Sequence, residues 1–213
     1  MIKNTIKKIL PVAILNKIQT YNRRYLRYKA LKDWIKKGRQ LPPPHALKQI
    51  VIENYKKHFG VSVLVESGTY YGDMVEAERM QFDKIISIEL SEDLWKKAVE
   101  RFKQYKHVTI INGDSGKVLN SVIKDLNERA IFWLDGHYSQ GVTAQGNKDC
   151  PILEEIDAIF KSNKPEHILL IDDARCFNGD GDYPTIKELT KYIQNYNSKY
   201  CVKVEDDIIR FTI

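Results

Sequence analysis

Val61-Ser-Val-Leu-Val-Glu-Ser-Gly-Thr-Tyr-Tyr-Gly72 joins a β-branched apolar run to an acid, a turn with two glycines, and a helical pattern. Gly68 allows a sharp turn at a strand end and lets a ligand approach the backbone. Glu66 stands where a carboxylate can meet a cationic or hydroxylated group. The arrangement suits a nucleotide-type cofactor on the first strand of a doubly wound sheet. The spacing is E-x-G-x-x-x-G, not the G-x-G-x-x-G that admits a pyrophosphate.

Further polar residues fall where later apolar runs stop. Ile85-Ile-Ser-Ile-Glu89 ends in an acid roughly twenty residues after the glycine turn, the position that suits a ribose diol. Asn112-Gly-Asp-Ser115 follows the third run. Ile131-Phe-Trp-Leu-Asp135 leads into Gly136-His137-Tyr138-Ser139, and Ile168-Leu-Leu-Ile-Asp172 leads into Asp173. One such acid is easily a helix cap. Five on one sheet edge predict a ligand site, because open α/β sheets bind ligands outside the carboxyl ends of their strands. Asp135, Asp172 and Asp173 offer the oxygen ligands that a hard cation such as magnesium prefers. Capping remains an alternative for Asp172 and Asp173.

The elements that must position these residues follow from pattern. Strands are predicted at 61–66, 84–89, 107–112, 130–135 and 166–172, with helices near 73–80, 91–104, 116–127, 151–161 and 184–196. Strands alternating with helices predict a parallel sheet covered on both faces. Cys201 to Ile213 reads as two strands around an Asp206-Asp207 turn, hence an antiparallel hairpin at the sheet edge. A short helix fits Ala46 to His58, ended by Gly60. The fold class is therefore α/β, a Rossmann-like doubly wound, seven-stranded, mostly parallel sheet with a C-terminal antiparallel hairpin and an N-terminal helical arm.

Together, Glu66-Ser-Gly-Thr-Tyr-Tyr-Gly72, Ser87-Ile-Glu89, Gly113-Asp-Ser115, Leu134-Asp-Gly-His137 and Ile171-Asp-Asp173 resemble the class I S-adenosylmethionine (SAM)-dependent methyltransferases. More narrowly they are similar to the macrocin O-methyltransferase (TylF-like) group, which methylates sugar hydroxyls. The resemblance covers residues 61–213. It implies that Glu66, Gly68, Thr69 and Gly72 lie near the methionine part of SAM, Glu89 on the ribose, and Asp114 and Ser115 by the adenine. It also implies a divalent metal, usually magnesium, on Asp135, Asp172 and Asp173. Where the family commonly has a second aspartate as base, this chain has His137. An imidazole titrates near neutrality and can take a hydroxyl proton; His137 as a metal ligand or a plain loop residue stays open. Tyr138, Arg175 and Tyr183 are candidates for the acceptor, a sugar or glycan. The polar stretch 141–149 is a loop of the kind that closes over substrates. His45, His58, His107 and His167 fall at element ends and read as structural.

Charge divides the chain. Residues 1–40 carry twelve Lys or Arg and one acid, for +11, while the remaining 173 carry 22 basic and 27 acidic residues, for −5. The basic balance belongs to the arm, so a nucleic-acid-binding catalytic face is not expected. Ile14, Ile18, Tyr21, Tyr25 and Tyr28 recur at helical steps among the bases, and Pro42-Pro-Pro44 ends the arm, predicting an arm and linker at 1–44 and a catalytic domain at 45–213. Such an arm suits an anionic membrane surface or a second subunit in a homo-oligomer. Ile9–Leu15 is too short to span a bilayer and lacks a cleavage site. Three scattered cysteines give no disulfide framework or zinc site. The expected location is the reducing cytoplasm, with docking on the inner face of its membrane. Two other functions fit parts of the pattern: a nicotinamide-dependent oxidoreductase, and a non-catalytic membrane scaffold with a relict cofactor fold.

Overall fold

The computed structural model describes residues 12–135, 150–161 and 166–213, with side chains from residue 21 onward. The chain divides into two units, residues 1–50 and 51–213. The first contains helix α1 (Val12–Lys36) and the start of α2 (His45–Phe59). The second holds β1 (Val63–Ser67), α3 (Asp73–Glu78), β2 (Lys84–Glu89), α4 (Glu92–Phe102), β3 (Val108–Asn112), α5 (Ser115–Lys124) and β4 (Ala130–Leu134). It continues with α6 (Ile152–Phe160), β5 (Ile168–Ile171), α7 (Ile186–Tyr196), β6 (Cys201–Glu205) and β7 (Ile208–Thr212).

The seven strands form one sheet in the order β3-β2-β1-β4-β5-β7-β6. All pairings are parallel except those of β7, which runs antiparallel to both β5 and β6. The expected hairpin is present, with Asp206 and Asp207 both at positive φ (54° and 62°). Two left-handed residues in a two-residue loop match the right-handed twist of the flanking strands.

Strand side chains alternate between two cores. Val63, Val65, Phe132 and Leu134 join Leu119, Ile156 and Leu189 of α5, α6 and α7 on one face. Leu64, Ile85, Ile131 and Trp133 join Ile52, Val75 and Phe102 of α2, α3 and α4 on the other. With both faces covered, near-continuous apolar strands are what burial requires.

The expected elements all form among the described residues, with shifted ends. Val61 donates its N–H to Lys56 O, closing α2, so strand pairing starts at Val63 and not at residue 61. The strand then runs on through Ser67, one residue beyond its expected end at Glu66. Pairing aligns Ser67 with Ile88 and Leu134, Ile88 with Ile111, and Leu134 with Ile171. The next level up is therefore Gly68, Glu89, Asn112, Asp135 and Asp172. Glu66 lies two levels below that edge, beside Ser87 and Trp133. It is a core residue.

Gly72 begins α3 at φ 78°, and a Cβ there would stand 2.6 Å from Phe102 Cε2. Its lack of a side chain is required by packing as well as by backbone conformation. Gly72→Ala should lower the unfolding free energy by about 1–3 kcal/mol. Urea unfolding followed by circular dichroism measures this; an unchanged midpoint would mean that Phe102 yields without cost.

Candidate functional site

Strand order reverses between β1 and β4, the place where an open α/β sheet forms its binding crevice. Asp135 spans that switch point, its N–H donated to Ser67 O at 3.1 Å. On one side stands the glycine turn. Gly68, at φ 87°, and Thr69 both donate their N–H to Ile88 O (2.9 and 3.1 Å), tying the turn to β2. Tyr70 is held at φ 49°, and the exposed rings of Tyr70 and Tyr71 meet at 4.2 Å between centroids.

Glu89 organises this side. One carboxylate oxygen accepts the N–H of Tyr70 at 2.7 Å and the other that of Ser91 at 2.9 Å, so one side chain anchors both the turn and the start of α4. Each oxygen retains a lone pair for a hydroxyl donor. Burial pushes its pKa up, against the pull of those backbone N–H groups. Beside it, Asn112 Nδ2 donates to Glu89 O at 2.9 Å. Asp114 caps α5 by accepting Gly116 N–H at 3.1 Å and pairs with Lys117 Nζ at 3.0 Å. Ser115 is buried as the first residue of α5.

Glu66 is 2 % exposed. Its Oε2 accepts a hydrogen bond from Ser87 Oγ, and Ser87 Oγ lies 2.5 Å from Thr69 Oγ1. Two hydroxyls thus connect Glu66 to the glycine turn, and Glu66 reaches that turn through Ser87 and Thr69. Burial, reinforced by the charges of Asp135, Glu89 and Glu78, raises its pKa to about 8; Ser87 opposes the rise.

On the other side of the switch point, Asp135, Asp172 and Asp173 offer carboxylate oxygens all within 4.8 Å of one another. Asp172 and Asp173 are buried, and Asp135 is half-buried. The backbone N–H of Asp172 is donated to Leu134 O at 3.0 Å, and that of Asp173 to Asp172 Oδ1 at 2.9 Å. Asp173 sits at φ 54°. Asp173 makes no side-chain capping bond to the turn that follows it, so capping does not account for the convergence of all three. Hard-cation chemistry fits the donor set, three oxygens with room for waters or a diol.

Arg175 is held beside the aspartate trio: Nη1 contacts Asp173 Oδ1 at 2.7 Å and also Asp207 Oδ2. Asp207 in the hairpin turn further accepts the N–H of Arg175 through Oδ1, at 2.8 Å. Tyr183 packs edge-on against Phe177 and lines a small cavity with Asp172, Cys150 and Glu155. His137 and Tyr138 lie outside the described residues, as does 141–149. His107 and His167 have structural partners, Arg79 O and Ala130 N–H.

Three residues were not legible as part of the site. Ser87 stood in the Ser87-Ile-Glu89 motif but was given no role of its own. Asp207 read as a turn residue. Glu155 sits on α6 at 1 % exposure, its pKa raised by burial against the hydroxyls of Ser115 and Ser67. Its helical spacing carried no signal, because a glutamate on an amphipathic helix is ordinarily solvated.

No family model matches the chain. A curated relative, ribosomal RNA small subunit methyltransferase A of Caldanaerobacter subterraneus subsp. tengcongensis, is 23% identical over 163 residues, 70% of this chain and 59% of that protein. The chain thus spans less than two thirds of that relative. Among solved structures, the O-methyltransferase from Bacillus cereus in complex with S-adenosylhomocysteine (SAH) superposes with a TM-score of 0.56. It is 10% identical, over 88% of this chain and 90% of that one. The O-methyltransferase TomG from Streptomyces achromogenes, involved in tomaymycin synthesis and solved with SAM, gives 0.53, at 14% identity over 88% of each chain. The fold is that of SAM-dependent methyltransferases.

The raised pKa of Glu66 has a definite sign in stability. Between the ordinary carboxylate range and about pH 8 the folded chain holds a proton that the unfolded chain releases. This group therefore costs increasing stability as pH rises through that window. Glu66→Gln should flatten the fall in melting temperature between about pH 5 and pH 8. Parallel wild-type and variant profiles would show that Glu66 is ionised in the fold.

Proposed function

We propose that the chain is a SAM-dependent O-methyltransferase, assisted by a divalent cation, that methylates a sugar hydroxyl of a surface glycan or its precursor. The observation that carries this reading is the single level of the sheet edge at which Gly68, Glu89, Asn112, Asp135 and Asp172 align across five strands. The glycine turn and Glu89 suit the amino-acid and ribose parts of the cofactor, on one side of the switch point. The three aspartates on the other side suit a magnesium ion and the acceptor.

When bound, SAM supplies an electrophilic methyl group, so the chain's own task is alignment and proton removal. Glu89 holds the turn rigid by its two backbone bonds and receives hydroxyl donors. Asp135, Asp172 and Asp173 would hold the cation, which when bound would supply the charge that lowers the pKa of a nearby hydroxyl. Arg175 offsets part of the negative charge at Asp173. His137, two residues past Asp135, takes the acceptor proton. The sugar acceptor rests on the motif resemblance to the TylF-like group. Two features weigh against a nicotinamide enzyme: the wide glycine spacing, and an antiparallel β7 between β5 and β6 where a dinucleotide fold continues in parallel. The net charge of −5 beyond residue 40 weighs against a nucleic-acid acceptor.

SAH should raise the melting temperature of the chain, whereas NAD should not. No shift at millimolar SAH would end the methyltransferase reading.

Asp172→Asn should abolish magnesium-dependent methyl transfer to a glycan acceptor while retaining the SAH shift. Full activity of the wild type in chelator would remove the metal from the mechanism. His137→Ala should lower kcat by roughly a hundredfold with SAH affinity unchanged. Undiminished turnover would remove His137 from the mechanism.

A further inference from the structure

Helix α1 presents two unlike sides. Tyr21, Tyr25, Tyr28 and Ile35 are 71, 57, 60 and 54 % exposed. Their spacings of four, three and seven place them on one stripe. Arg23, Arg27, Ala30, Leu31 and Trp34, at about the opposite angle, are half-buried. The helix stops where Gly38, at φ 77°, donates its N–H to Ile35 O, and Trp34 Nε1 donates to Gln40 O at 2.7 Å. The exposed stripe is some 21 Å long at helical rise.

Exposed bases flank the tyrosines: Arg24, Lys29, Lys32 and Lys36, with Lys32 Nζ 5.8 Å from the centre of the Tyr28 ring. Residues 21–40 carry eight basic residues and one acid, for +7. Among the described residues this stripe has no cover, and an exposed stripe of its size marks an interaction surface. Its charge selects the occupant. A second copy of the helix would press +7 against +7. An anionic bilayer neutralises it, and phenol rings with an apolar body and polar tip suit the headgroup level. No described helix is long and apolar enough to cross a membrane, so contact in the plane of the surface is the geometry available.

We propose that the Tyr21–Tyr25–Tyr28–Ile35 face of α1 docks, lying flat, on an anionic lipid surface, with Arg24, Lys29, Lys32 and Lys36 paired to lipid headgroups. This holds whatever reaction the sheet edge catalyses.

Co-sedimentation of the full chain with vesicles tests it. Vesicles with about 30 mol% phosphatidylserine should bind the chain, and pure phosphatidylcholine vesicles should not. Raising salt from about 0.05 to about 0.5 M should weaken binding at least roughly tenfold. Replacing Lys29, Lys32 and Lys36 by Glu should abolish binding, while replacing the same three by Arg should preserve it. Tyr21, Tyr25 and Tyr28 changed together to Ser should weaken it roughly tenfold. Unaltered helix content by circular dichroism shows that the variants fold. Failure to bind anionic vesicles at low salt, or equal binding to neutral ones, overturns the proposal. So does tighter binding to single-stranded RNA than to anionic vesicles, or a dimer that the tyrosine variant makes monomeric.

Discussion

Helices cover both faces of the sheet, so a carboxylate in a strand interior loses its water and must find hydrogen bonds or a proton. At the carboxyl ends of the strands Glu89 and Asp172 are buried too, but backbone N–H groups there supply the hydrogen bonds. Glu89, Asp135 and Asp172 all occupy one level there, and the chain uses that level for nearly all of its chemistry-bearing acids. Among the described residues, Glu66 and Glu155 are buried carboxylates that stay below it. Glu66 points to the face of α2, α3 and α4, and Glu155 lies on the face of α5 and α6, near Ser67. Each meets hydroxyls and not cations, and each has its pKa pushed upward by burial. The switch point is therefore flanked from beneath by acids biased toward neutrality, while the acids level with it answer to backbone N–H groups.

This division decides which residues speak to a ligand directly. Glu66 acts on the glycine turn through Ser87 and Thr69, whereas Glu89 grips the turn through its backbone. The two acids beside the glycine turn are thus unequal: one is an internal brace, the other an edge group with lone pairs to spare. The same contrast separates Arg175 from Tyr183. Arg175 is bound to two aspartates, and Tyr183 faces the cavity beside Asp172.

Much of this was readable from the residues. Apolar runs that stop at acids, separated by helical periods, located every strand of the parallel sheet, because a strand buried on both faces has few other ways to be written. The terminal hairpin was equally legible from Asp206-Asp207. What escaped was register. A shift of one residue at the end of β1 moved Glu66 from the edge into the core, and no local pattern distinguishes Glu66 from Ser67 as the last paired residue. Long-range partners escaped too. Asp207 meets Arg175 across 32 residues of sequence, and Glu155 meets the end of β1 only through the packing of α6. Periodicity reports which face a residue takes, not which residue it meets there.

Asp207 also sets an order of assembly. It sits in the β6–β7 turn, made after every other strand but β7, and yet it grips Arg175, which in turn holds Asp173. β7 slots between β5 and β6, so the far edge of the sheet stays unpaired until that strand emerges from the ribosome. During synthesis the glycine turn and Glu89 can settle early, on β1 and β2 alone. Asp173 lacks its Arg175–Asp207 brace until the hairpin closes, so the aspartate side of the sheet edge is completed last.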